Sequence, residues 1–249
     1  MSKVSSGKNR TENAWVSDLA EKIASLSAAR KAELIDALAG VINPQRQELL
    51  HQVLDQRTRF ITVVLEDIYQ AQNASAVIRS AECLGLQELH IIENRNEYQL
   101  NPAVVQGASK WMQVTRHRNN QEDNTRPCLE ALKQRGYRIV AMTLREGSQE
   151  LESLQLHSRT ALCFGSEEPG LSDIAHDLAD EYVNIPMCGF TQSFNLSVSA
   201  GISLYHLCGQ MRNSGLPWQL EENDRQNLLI DWLSKSTPTG KVLLQRFLG

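Results

Sequence analysis

The sequence predicts an α/β fold: a mainly parallel sheet with helices on both faces, flanked by helical extensions at either end. Three observations point there. Residues 60–65 form a short, continuous run rich in β-formers, the mark of a strand buried on both faces, and residues 89–92, 137–142 and 161–164 read as further strands. Segments of helical spacing lie between them, and strand–helix alternation implies parallel pairing. Outside residues 57–213 the pattern is helical only.

Residues 1–13 are polar, and Trp15, Leu19, Ile23 and Leu26 then recur at helical spacing. Ser27 reads as the cap of a second amphipathic helix carrying Leu34, Ile35, Leu38, Val41 and Ile42. Asn43 followed by Pro44 reads as an N-cap and a proline at the first helical position, opening a third helix through Leu49, Leu50, Val53 and Leu54. Residues 1–56 are thus expected as a helical N-terminal extension, small enough to need a packing partner.

After the strand at 60–65, a helix from about Asn73 ends at Gly85, a natural residue just past a helix. Strands follow at 89–92 and 111–115, then a helix around 129–133 that Gly136 stops. Strands at 137–142 and 161–164, a short helix over 171–178 and a strand over 182–185 complete the alternation. Leu196, Val198, Ala200, Ile202 and Leu204 alternate as a strand would, so periodicity leaves helix and strand open. The cap types Ser193 and Asn195, with Ala200, Leu204 and Leu207 on one helical face, favour a helix. Residues 214–249 form a C-terminal helical extension: Leu228, Leu229 and Trp232, a break at 236–240, then Val242, Leu243, Phe247 and Leu248.

At 249 residues, 41% hydrophobic and 22% charged, the composition is that of a soluble globular protein. No apolar run reaches membrane-spanning length and the first residues lack the apolar core of a secretion signal, so a cytoplasmic location is expected. Cys83, Cys128, Cys163, Cys188 and Cys208 are odd in number and scattered, which reads as free thiols rather than a disulfide framework or a metal site. A net charge of −4 excludes wholesale electrostatic coating of nucleic acid and leaves room for a local basic face.

Ligands of parallel sheets sit beyond the carboxyl ends of the strands, here the loops after Leu65, Met142, Phe164 and Ile185. No Gly-x-Gly-x-x-Gly, Gly-Lys-Ser/Thr or Gly-x-Ser-x-Gly is present, so dinucleotide, Walker-type and hydrolase sites are unsupported. Three polar clusters occupy the region instead. Asn73 and Arg79 share a helix. Gly165-Ser166-Glu167-Glu168-Pro169-Gly170 has glycines at both ends, allowing close backbone approach. Gln192-Ser193-Phe194-Asn195 opens a helix, where free amides hold polar groups of a ligand. A fourth stretch, residues 110–118, has four cationic or potentially cationic groups, no acid, and a tryptophan able to stack on a base. Taken singly, each cluster also reads as a cap, a solvated turn or an edge strand.

In this order and spacing, Asn73…Arg79, Phe164-Gly165-Ser166-Glu167…Gly170 and Ile185-Pro186-Met187…Ser193-Phe194-Asn195-Leu196-Ser197-Val198-Ser199 resemble the three motifs of the SpoU (TrmH-like) branch of the SPOUT RNA 2′-O-methyltransferases. The resemblance covers about residues 58 to 213. It implies a deep C-terminal trefoil knot, S-adenosyl-L-methionine as methyl donor, RNA as substrate, and a homodimer whose active site draws on both subunits. Leu216-Pro217-Trp218, the helix carrying Trp232, and Gly107-Ala108-Ser109-Lys110-Trp111 are similar to the tRNA guanosine-18 enzymes of that branch, which implies tRNA as the target. Two departures stand out. Phe194 replaces the family's usual leucine between serine and asparagine, and the N-terminal region is longer than in compact members.

The resemblance implies that Arg79 is catalytic, as a base or as the charge that orients a phosphate and stabilises an alkoxide. Asn73 would hold the substrate strand or support Arg79, Glu167 would fix the geometry, and Ser193 and Asn195 would position cofactor and substrate. Met142, Thr143, Leu144, Gly165, Ile185, Met187 and Phe194 are expected at the cofactor, mostly through backbone. Lys110, Arg116, Arg118 and Arg212 are expected on RNA phosphates. The alternatives are the same chemistry on ribosomal RNA or the tRNA wobble position, and a catalytically silent RNA-binding member. The intact set of Asn73, Arg79, Glu167, Ser193 and Asn195 argues against the silent member.

Overall fold

The computed structural model describes residues 19–99, 101–105, 107–119 and 123–249. The chain divides into two compact units, residues 57–219 and the helical segments before and after them. Trp15, part of the first predicted helix, lies outside the described residues.

The first unit is a seven-stranded sheet in which every strand pair is parallel. Its strands are β1 (Ile61–Glu66), β2 (Glu88–Ile92), β3 (Gln113–His117), β4 (Arg138–Met142), β5 (Gln149–Glu150), β6 (Thr160–Phe164) and β7 (Glu181–Asn184), in the order β3-β2-β1-β6-β4-β7-β5. The chain builds outward from β1 to the β3 edge, then crosses back to build the other half, and ligands of such sheets sit at the carboxyl ends near that reversal.

In a strand, alternate residues face opposite sides, and both sides of β1 are buried. Ile61, Val63 and Leu65 join a core with α3 (Ala71–Cys83) and α7 (Leu196–Asn213). Val64 joins a second core with α5 (Thr125–Gln134) and α6 (Asp173–Leu178). Helices therefore cover both faces, as the continuous apolar runs predict. Glu66, 2% exposed at the end of β1, accepts from the Ser172 backbone N–H at 2.8 Å and the Ser172 hydroxyl at 2.7 Å. Thr125 donates to it as well, and these partners offset the cost of burying its carboxylate.

Three local features differ from expectation. The third strand begins at Gln113 instead of Trp111. Gly107, at φ 82°, opens a 3₁₀ turn over Ala108–Lys110, and the Trp111 N–H bonds back to the Ala108 carbonyl, spending its donor in the turn. The two-residue β5 and the one-turn helix α4 (Pro102–Val105) are too short to have a periodicity.

The helical unit includes α1 (Ala28–Ala39), α2 (Pro44–Leu54), α8 (Glu222–Ser236) and α9 (Pro238–Leu248), and residues 19–25 are helical as well. Ser27 caps α1 and Asn43 caps α2 with Pro44 at the first turn, as predicted. Trp232 of α8 is 1% exposed in its interior, and α8 packs against α1, α2 and α9. The Lys31 ammonium, on a residue 1% exposed, is held by Asn223 Oδ1 at 2.6 Å. No helix among the described residues is long and apolar enough to cross a membrane.

Candidate functional site

A cavity of about 460 Å³ opens at the carboxyl ends of β4, β6 and β7. Three loops and one helix start build it. Met142 ends β4 and is followed by Thr143, Leu144 and Arg145; the Thr143 N–H is tied to the Val183 carbonyl at 2.9 Å. Phe164 ends β6, and Gly165 to Leu171 wrap the second side. Asn184 ends β7, Ile185 and Met187 follow it, and Ser193, Phe194, Leu196 and Ser199 close the site from the start of α7.

Gly165 is required by contact. A Cβ there would lie 2.1 Å from the Gly170 carbonyl carbon, so the two ends of the loop touch backbone to backbone. Gly170 itself stands at φ +87°, a left-handed conformation that favours glycine. The Ser166 hydroxyl bonds the Glu168 carbonyl at 3.0 Å inside the loop.

Beside the cavity lies a hydrogen-bonded trio drawn from three distant segments. Asn73, 7% exposed in the first turn of α3, donates its side-chain amide to Glu167. Its oxygen accepts from Asn195 Nδ2 at 3.2 Å. Asn195 is the N-cap of α7 and its own oxygen takes the Ser197 N–H at 2.9 Å. Both ends of the Asn73 amide are thereby engaged, which fixes its orientation and that of the Glu167 carboxylate.

All seven residues expected at a cofactor, Met142, Thr143, Leu144, Gly165, Ile185, Met187 and Phe194, line this cavity, as do Glu167 and Ser193. Of the loops after Leu65, Met142, Phe164 and Ile185, the first lines none of it and contributes only through α3. Arg79 stands apart from the trio: it is exposed on α3 and has no hydrogen-bond or ion-pair partner among the described residues. Six residues of helix separate it from Asn73, about 240° of rotation, so the two side chains leave different faces.

The residues expected on RNA phosphates have partners within the protein. Arg116 grips Glu93 with two bonds, at 2.9 and 2.6 Å, Arg118 pairs with Glu97, and Arg212 donates to the Leu84 carbonyl at 2.7 Å. Lys110 is exposed with its ammonium 4.6 Å from the centre of the Trp111 ring. Sequence reasoning passed over Arg145, Asn184 and His176, which also line the cavity. Only position at or just after a strand end could have flagged the first two. His176 sits on α6, and nothing in its sequence neighbourhood marks it.

The profile of the SpoU rRNA Methylase family matches residues 60–205. The tRNA (guanosine(18)-2'-O)-methyltransferase of Borreliella burgdorferi is 40% identical over 198 residues, 80% of this chain and 88% of that protein. The enzyme of the same name from Thermus thermophilus is 32% identical over 193 residues, 76% of this chain and 96% of its own length. Among solved structures, the A. aeolicus TrmH/SpoU tRNA modifying enzyme superposes with a TM-score of 0.69 at 28% identity, covering 78% of this chain and 97% of that one. A match across most of the sheet unit, with every cavity loop inside it, makes this chain a member of the SpoU rRNA methylase family.

Proposed function

We propose that this protein is an S-adenosyl-L-methionine-dependent ribose 2′-O-methyltransferase that acts on tRNA, with guanosine 18 as its target. The observation that carries the chemistry is the Asn73–Glu167–Asn195 trio beside a cavity of cofactor size. The target follows the relatives named for that nucleotide.

The cavity fits the donor. Its volume lies within the roughly 300–1,000 Å³ range of small-molecule sites. Met142, Leu144, Ile185 and Phe194 offer apolar surface to a base, while Glu167 and Glu168 bring negative charge towards a sulfonium. A bound donor supplies an electrophilic methyl group. The rest of the work falls to the protein.

A ribose 2′-hydroxyl is a poor nucleophile at neutral pH, so it needs proton removal or a charge that stabilises its alkoxide, together with in-line placement. A guanidinium does not give up its proton in proteins, so Arg79 acts as the stabilising charge and orients a phosphate. Asn73, held from both ends, keeps Glu167 in place at the cavity wall, and Ser193 holds the substrate side of the α7 entrance.

The working form is a homodimer. Val198, Ile202 and Tyr205 are 46%, 37% and 76% exposed at i, i+4 and i+7 on α7, with Phe194 just before the helix at 41%. An apolar stripe of that width on a helix suits burial against a second copy. A second copy also supplies an acceptor site for the unpartnered Arg79. α7, which follows β7 in the chain, packs on α3, a return that supports a trefoil knot at the C-terminal end of the sheet unit. The cytoplasm, where tRNA is met, is the proposed setting.

The test is methyl transfer from labelled S-adenosyl-L-methionine to unmodified tRNA and ribosomal RNA, with the product nucleotide mapped. 2′-O-methylguanosine at tRNA position 18 is the expected product. Transfer to another nucleotide keeps the chemistry and moves the target; no transfer to either RNA overturns the proposal.

A further inference from the structure

Tyr69 is 78% exposed between Ile68, 5% exposed, and Gln70, the N-cap of α3. The loop that carries it is tightly held. Asp67 stands at φ 52°, the one positive-φ residue other than glycine among the described residues. Its carboxylate accepts the backbone N–H groups of Asn94, Arg95 and Asn96 at 2.7, 2.8 and 3.2 Å. Its own N–H bonds the Ile92 carbonyl at 2.9 Å, and Asn96 Nδ2 bonds its carbonyl at 2.8 Å. The loops after β1 and β2 are thus clipped together at the carboxyl edge of the sheet. An aromatic ring left in water on so rigid a support loses little freedom when something stacks on it.

Charge is arranged beside it. Glu93 is neutralised by Arg116 and Glu97 by Arg118, while Arg95 between them is exposed and has no side-chain partner among the described residues. The two ion pairs cancel, and the Arg95 guanidinium is the charge left over. The active-site trio is close along the chain: the Gln70 side chain accepts from Asn73 Nδ2 at 3.4 Å, one residue after Tyr69.

We propose that Tyr69 and Arg95 form a docking subsite for one unpaired nucleotide of the substrate RNA next to the acceptor ribose, the base stacking on Tyr69 and its phosphate meeting Arg95. The subsite rests on the RNA methyltransferase reading above. Base–aromatic stacking tolerates any base, so the subsite positions the strand and leaves recognition of the modified guanosine to other groups.

Steady-state methylation of tRNA, cofactor calorimetry and sedimentation on Tyr69→Ala, Tyr69→Phe and Arg95→Ala test this. Tyr69→Ala should raise the KM for tRNA roughly ten- to hundred-fold. Its cofactor affinity and oligomeric state should match wild type, and Tyr69→Phe should restore the KM. Arg95→Ala should lower the slope of log affinity against log salt by roughly 0.7, the value for one single-strand phosphate contact. An active wild type with an unchanged KM in Tyr69→Ala, or a Tyr69→Ala that changes oligomeric state, overturns the subsite alone. A wild type that methylates no RNA overturns the function and the subsite together.

Discussion

The side-chain amide of Asn73 donates to the carboxylate of Glu167, which lies ninety-four residues further along the chain. The bond joins the first turn of α3 to the loop after β6, and Asn195 secures the far side of the same amide. Replacing the donor by Asn73→Asp sets two carboxylates against each other. Loss of one preorganised donor at such a site costs about 10²-fold or more in turnover. Adding Glu167→Gln puts an amide opposite the new carboxylate and should recover part of that loss. Single-turnover methyl transfer on the two single variants and the double reads the coupling. Purely additive losses would show that the contact does not organise the site.

Arg79→Ala should lower kcat by about 10²–10³-fold, the scale of removing one charge aimed at a developing anion. The residue is exposed and lines no part of the cavity, so calorimetry should return wild-type cofactor affinity. Arg79→Lys keeps the charge without the planar fork and should fall between. Near-wild-type turnover in Arg79→Ala would remove it from the mechanism.

Gly165→Ala should weaken cofactor binding at least ten-fold and lower the melting temperature. Its Cβ would meet Gly170 backbone at 2.1 to 2.3 Å, and backbone in a closed loop has no cheap way to yield. Gly189→Ala is the control: a Cβ there meets nothing within 4 Å. Thermal denaturation with and without cofactor separates the two effects.

Stability should fall as pH drops from 7.5 to 5. Burial holds the His90 imidazole down at about 4, against the neighbouring Glu88, which raises it. The unfolded chain takes up a proton near 6.5, well before the folded one, so stability rises with pH across that window and is lost below it. The expected loss by pH 5 is about 2 kcal/mol, read by urea titration. His90→Gln should flatten the profile. The titration belongs in chelator, because the donor atoms of His90, His117 and Cys128 lie within 4.8 Å of one another, and an adventitious ion held by neutral imidazoles would itself steepen the profile.

Two of the five thiols should react with an alkylating reagent at pH 8 in the native state. Cys83 and Cys188 are exposed, whereas Cys128, Cys163 and Cys208 are buried. Burial pushes Cys128 up to about 12 and Cys208 up to about 11, and raises Cys163 as well. The thiolate is the reactive form, so the buried three are protected twice, by access and by charge state. Mass spectrometry of the labelled protein identifies the sites, and modification of Cys128 without denaturant would contradict the packing around α5.

The order of elements was legible in the chain because local rules wrote it. Residues 61–65 are apolar or β-branched on both alternations, Thr62 being the one polar member, which marked β1 as an interior strand. Asn43 with Pro44, and Asn195 before Leu196, announced helix starts that the structure places at those residues. Motif order and spacing also carried the family, and with it the seven cavity residues. The start of β3 was not legible, because Trp111 suits a strand and the turn that claims it depends on the left-handed Gly107.

Partnership was the part that only tertiary structure decided. Arg116, Arg118 and Arg212 look like free cations in the sequence, yet Glu93, Glu97 and the Leu84 carbonyl are folded against them. Arg95, flanked by acids in the sequence, looks compensated and has no side-chain partner among the described residues. Likewise nothing local joins Asn73 to Glu167 and Asn195; the crossing from β3 back to β4 brings their loops to one edge of the sheet. Sequence determines which groups exist and the local shape of the backbone that carries them. Which charge meets which depends on contacts between residues tens of positions apart, and those exist only once the sheet has closed around its strand order.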